Sequence, residues 1–221
     1  MKYLKRVFFS LSALLILVAF TNAKPITIKG KLTKTGYSTI YLYKYLGNTL
    51  SVFDSTKYTN GSFEFKYNDV IPTGFYKLGF DSKDAMTIVA GYESIVVTGN
   101  PDIQRSITIA GSKENDLFNT YQKLNKEQSA QNAALNQKAQ QLQQQPGMTE
   151  ELFNQQVVGL RAKSDSLNKA YAASVSQLAT AHTGLFMTKV LSMFIFEGKT
   201  ADNFFAPAGL ESIKAVLYSP V

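Results

Sequence analysis

The chain predicts an α+β protein: an antiparallel β-sandwich or flattened barrel, then a long antiparallel helical hairpin, then shorter C-terminal helices. Three observations predict it. Between Pro25 and Ala110 apolar residues return at every second position, in short runs broken by Gly, Asn and Pro, which is the pattern of half-buried strands. At Gly111-Ser112 this gives way to Gln- and Ala-rich sequence with helical spacing. No helical stretch separates the strands, so parallel crossovers have no room and the sheet should be antiparallel.

Met1 to Ala23 has the parts of a secretory signal: a basic start (Lys2, Lys5, Arg6), an apolar run from Val7 to Phe20 and a small-residue end at Thr21-Asn22-Ala23. The apolar run is shorter than a spanning helix needs. Cleavage near Ala23 then leaves a periplasmic or secreted chain starting at Lys24, with no integral membrane span. The formal charge is +7, and three of those positive charges belong to the leader, which leaves +4 thinly spread. No cluster of Lys and Arg marks a nucleic-acid footprint.

Eight strands are expected: Ile26 to Thr33, Thr39 to Leu46, Leu50 to Ser55, Ser62 to Tyr67, Gly74 to Phe80, Met86 to Ala90, Ser94 to Thr98 and Ser106 to Ala110. Asn60-Gly61 supplies the positive φ values of a primed hairpin turn between the third and fourth. In the second strand Ile40, Leu42 and Leu46 fall on one face and Tyr41, Tyr43 and Tyr45 on the other. That stripe of three aromatic rings is the candidate partner-binding surface, because such rings offer rigid, amphipathic contact area. Cross-strand packing, or cover from the helical half, competes with this reading.

Ser112 caps the next segment, with Asn115-Asp116 in or near its first turn. Leu117, Tyr121, Leu124, Gln128, Gln131, Leu135, Lys138 and Leu142 then follow a four-three step, apolar at both ends and polar in the middle. The Gln-rich composition of Gln128 to Gln145 also favours disorder. Pro146-Gly147 breaks the helix. Thr149 starts a second one, with Glu150 and Glu151 in its first turn and Met148 placed to pack on Phe153. Phe153, Val157, Leu160, Ser164, Leu167, Tyr171, Ser174 and Leu178 repeat the step, so the two helices should lie antiparallel, seam to seam. Gly184 to Phe196 is apolar nearly all round, and a short helix is expected at Gly209 to Leu217. These features divide the chain into a leader at 1–23, a sandwich domain at 24–110, a hairpin at 111–182, and apolar and short C-terminal helices at 183–221, read as the lead-in to a missing domain.

The chemistry-bearing residues are few. There is no Cys, no Trp and one His among 221 residues. His182 has no second His or Cys to work with and suits a helix C-terminus. Asp54-Ser55, Asp81-Ser82 and Asp165-Ser166 are adjacent pairs; on a strand, such neighbours face opposite ways and share no proton. These residues predict no catalytic site, no metal and no cofactor.

Several runs resemble an uncharacterised β-rich module found at the front of envelope thioredoxin-like proteins of Gram-negative bacteria. They are Ile26-Thr27-Ile28-Lys29-Gly30, Ile40-Tyr41-Leu42-Tyr43, Asp54-Ser55 before Asn60-Gly61-Ser62-Phe63-Glu64-Phe65, Ile95-Val96-Val97-Thr98-Gly99-Asn100, and Ile109-Ala110-Gly111-Ser112 followed by Glu114-Asn115. Proteins of that kind continue into a thiol-disulfide oxidoreductase domain related to the thiol-specific antioxidant family, whose reaction belongs to a Cys-x-x-Cys pair. This chain has no Cys, so the resemblance implies a non-enzymatic exported binding or positioning module, with an envelope protein or the family's thioredoxin-like domain as partner. The hairpin offers a surface for oligomers. Two alternatives stand beside this reading: the truncated front part of a periplasmic disulfide reductase, and a periplasmic holdase chaperone.

Overall fold

The computed structural model describes residues 25–46, 49–103 and 106–197. The expected leader and the helix expected at Gly209 to Leu217 lie outside them. Eight strands come first: β1 (Ile26–Leu32), β2 (Thr39–Leu46), β3 (Thr49–Lys57), β4 (Ser62–Tyr67), β5 (Gly74–Gly79), β6 (Met86–Ala90), β7 (Ile95–Gly99) and β8 (Thr108–Ala110). They form two four-stranded sheets, ordered β4-β1-β7-β8 and β3-β2-β5-β6. Alternation along each strand sends one set of side chains inward. Ile28, Leu32, Phe63, Phe65, Ile95 and Val97 from the first sheet meet Ile40, Leu42, Tyr76, Leu78 and Ile88 from the second in one core. The sheets stay open, so the sandwich is the form adopted and the barrel is not.

The expectation of a wholly antiparallel sheet is corrected at one ladder. β1 and β7 pair in parallel, with Ile28 beside Ile95 and Lys31 beside Thr98. A parallel pair needs a long connection, and here the four strands of the second sheet, together with β4, make up that connection in place of a helix. The two backbones come close at Gly30, where any Cβ would strike the Val97 carbonyl. Glycine is therefore a steric requirement inside this strand.

The Asn60-Gly61 turn has positive φ at both residues, 52° and 81°. Thr59 and Ser62 exchange both backbone hydrogen bonds, at 3.0 and 2.9 Å. Beyond that single bridge β3 and β4 part into different sheets, so the turn joins two layers where a simple hairpin would join neighbours. The buried Tyr58 fixes the corner, its hydroxyl donating to the carbonyls of Leu32 (2.7 Å) and Lys34 (2.9 Å).

Three helices follow: α1 (Lys113–Gln143), α2 (Glu150–Ala181) and α3 (Phe186–Glu197). Ser112 and Thr149 cap the first two as expected, accepting from the backbone N–H of Asn115 and Leu152. The Gln-rich stretch is helical through Gln143. Where α1 and α2 meet, Asn125 faces Tyr171, Gln128 faces Asn168 and Asn132 faces Ser164, which is an antiparallel register. Two expected seam positions are corrected. Gln131 and Lys138 are exposed, while Asn132 and Ala139 take their places. A straight helix has 3.6 residues per turn, so its inner face drifts off a strict 3.5 repeat.

Two predictions follow from this packing. Gly61→Ala puts a Cβ 2.8 Å from the Leu32 carbonyl at a φ of 81°, so the variant should lose about 1–3 kcal/mol in urea unfolding. Burial pushes the Tyr76 phenol up to about 12 from 10.0 and also raises Tyr67, which in addition donates to Asp54. Above pH 10 the unfolded chain ionises these phenols while the folded chain keeps them protonated. Stability is therefore complete below pH 10 and should fall as pH rises through about 12, read as a falling Tm.

Candidate functional site

The tyrosine stripe lies on the outer face of the second sheet, opposite the core positions Ile40 and Leu42. It is not a uniform surface. Tyr43 is 7 % exposed, Tyr41 is half-buried and Tyr45 is 50 % exposed. The Tyr41 and Tyr43 rings pack 5.8 Å apart, and burial raises the Tyr43 phenol, with Tyr41 and Asp81 adding to it. Accessible aromatic area is thus concentrated at the Tyr45 end. Farther along this face, Phe75 of β5 and Val89 of β6 are covered by the helices: Phe75 packs on Phe118 (5.4 Å) and Phe186 (5.5 Å).

The helices are joined to the sandwich by the first turn of α1, a region read from sequence only as a cap. Asn115 is 0 % exposed. Its amide oxygen accepts from the Val89 N–H (2.9 Å) and its Nδ2 donates to the Val89 carbonyl (2.7 Å). One side chain thereby imitates a neighbouring strand and closes the β6 edge, which would otherwise offer unpaired backbone groups. The Ser112 hydroxyl accepts from the Asn115 backbone and side chain and donates to the Glu93 carboxylate at 2.7 Å.

Glu114 does the companion task. It is 3 % exposed, and its carboxylate accepts from the Tyr92 hydroxyl (2.6 Å) and from the backbone N–H of Phe186 (2.6 Å) and Met187 (2.9 Å). The residue before α3 is Leu185, whose side chain has no acceptor. A carboxylate from another helix therefore supplies the missing cap, at an N-terminus where the helix dipole favours negative charge. Burial raises the Tyr92 phenol, and its bond to Glu114 raises it further.

Past this joint the hairpin becomes an arm. Every buried residue of α1 lies between Glu114 and Tyr121, and α2 joins the same apolar cluster only from Tyr171 onward. Between these points the helices hold each other through a polar ladder. Asn168 Oδ1 accepts from Gln128 (2.8 Å) and Asn132 (3.3 Å), the Tyr171 hydroxyl donates to Asn125 (3.0 Å) and Ser164 donates to Asn132 (3.3 Å).

The remaining candidates are engaged locally. The His182 ring sits 3.0 Å from the Leu178 carbonyl at the end of α2. Asp54 accepts from the Ser55 N–H and the Tyr67 hydroxyl. Asp81 accepts from the N–H groups of Asp84 and Lys83, which lowers its carboxyl below the usual range. Among the described residues, no three His, Cys, Asp or Glu side chains cluster to hold a metal, every buried side-chain polar atom has a hydrogen-bond partner, and no helix is long and apolar enough to cross a membrane.

The architecture is thus a two-sheet module with a helical arm fastened by one polar turn. Residues 26–118 match the family described as Domain of unknown function (DUF4369), a match that spans the sandwich and the start of α1. The match ends just after the Glu114-Asn115 joint. No curated protein and no solved structure matches the chain.

The joint makes a two-part prediction. Glu114→Gln should cost about 1.5–3 kcal/mol, since the bonds lost are those to a charged acceptor. Amide exchange should speed up at Phe186 and Met187. Asn115→Asp keeps the size but sets an acceptor against the Val89 carbonyl, and should cost at least about 2 kcal/mol at neutral pH in denaturant titration.

Proposed function

We propose that this chain is a non-enzymatic exported protein of the cell envelope, a binding or positioning module whose helical arm holds a partner. One observation carries the reading. The arm runs on from Tyr121 to Gln143 beyond the sandwich, about 33 Å at 1.5 Å per residue, with its seam bonded within the chain and its outer faces exposed. A structure of this shape reaches outward and offers contact area. The buried polar groups of the joint and seam are used in holding it.

The short motifs from Ile26 to Asn115 and the DUF4369 domain support a finer version. In it the sandwich is the front module of the envelope thiol-disulfide oxidoreductase type, and the partner is a thioredoxin-like domain that carries the Cys-x-x-Cys pair. The basic, apolar and small-residue order of Met1 to Ala23 supports export.

The test uses photo-cross-linkers in cells at exposed Gln141 on the arm and, as control, at exposed Lys66 on the first sheet. We expect a defined adduct from Gln141 that is absent from Lys66, containing a thioredoxin-like domain, and an N-terminus at Lys24 in the recovered protein. Identical adducts from both sites, or none, would overturn the binding role. An intact Met1 in cytoplasmic protein would overturn export.

A further inference from the structure

The outer face of α2 carries a second stripe that neither the sandwich nor α1 uses. Glu151, Gln155, Val158, Ala162, Asp165 and Lys169 follow a four-three step, and all six are exposed. Val158, 61 % exposed, is the most accessible large apolar side chain among the described residues. A four-three stripe is the pattern by which one helix packs along another, and the charges at its ends choose the partner and its direction.

Here the charges are self-complementary. Glu151 stands at the tip end of the stripe and Lys169 at the other, so a second α2 running antiparallel sets Glu151 against Lys169 of the second copy, twice over. The same register places Val158 beside Ala162 and Gln155 beside Asp165, with the two-fold axis near Leu160. That axis coincides with the middle of the unsupported arm, because α2 begins at Glu150 and joins the sandwich-facing cluster at Tyr171. In this arrangement residue 150 of one copy lies beside residue 170 of the other.

We infer that the arm pairs with a second copy of this chain, α2 against α2, through this stripe. The contact is isologous, so it closes as a dimer and does not propagate. It is held by a few small and charged residues, which makes it a concentration-dependent association. The inference goes beyond the partner-holding role and stands or falls separately, since its readout is the protein alone.

Sedimentation velocity of the purified chain should show monomer converting to dimer as concentration rises. Lys169→Glu should leave only monomer, and the double variant Glu151→Lys, Lys169→Glu should restore the dimer. Circular dichroism of each variant checks that the exposed substitutions leave the helices formed. Because the chain has no Cys of its own, a Glu151→Cys, Lys169→Cys variant gives a second reading. The two positions lie about 27 Å apart along one helix, too far to bridge within a chain. Oxidation should therefore give a disulfide-linked dimer. A chain that stays monomeric up to its solubility limit, a dimer unaffected by Lys169→Glu, or no restoration by the charge exchange would overturn the inference.

Discussion

The structure depends on one turn of helix packed against one strand edge. Asn115 closes the β6 edge by exchanging two hydrogen bonds with Val89, and Glu114, the adjacent residue, caps α3. These side chains are fully desolvated, which is costly for an amide and more so for a carboxylate unless each polar atom finds a partner. Every atom does. The geometry is therefore narrowly specified, because a small displacement of α1 would break several bonds together. Apolar packing of Leu117, Phe118, Met187 and Leu191 on Val89 and Phe75 supplies the bulk attraction but little direction. The polar turn supplies the direction.

The arm shows the opposite balance. Its ends are apolar, but its centre is a ladder of Asn, Gln, Ser and Tyr at partly exposed positions. Such bonds compete with water and add little net stability. They do penalise a shifted pairing, because a slipped register leaves amides facing alkyl groups. The joint with the sandwich is thus narrowly specified in geometry, while the register of the arm is set by matching amides.

Much of this was legible in the sequence. Alternation located all eight strands within a few residues, and Asn60-Gly61, Ser112 and Thr149 each marked the turn or cap their chemistry demands. What alternation does not carry is the assignment of strands to sheets. Phe63 and Phe65 repeat every two residues just as Ile40 and Leu42 do, whichever layer receives them. The parallel β1–β7 ladder was hidden for that reason. The burial of Tyr43 beside an exposed Tyr45 is not carried by alternation either, because periodicity reports the face a side chain takes and says nothing of what lies over it. The role of Glu114 is not carried by its local sequence. The signal that singles it out is remote in the chain: Leu185 begins a buried helix without a side chain able to cap it, so an acceptor has to come from elsewhere.

The parallel ladder also carries an entropic cost of assembly. β1 is the first strand of the sandwich, yet Ile28 finds Ile95 only after every strand of the other layer has been traversed. Contacts so distant along the chain have their loop-closure entropy to overcome before they return any energy, and topologies rich in them fold slowly. The early strand therefore has one edge satisfied by β4 and the other only by a strand 67 residues on, so closing the first layer carries the larger entropic cost.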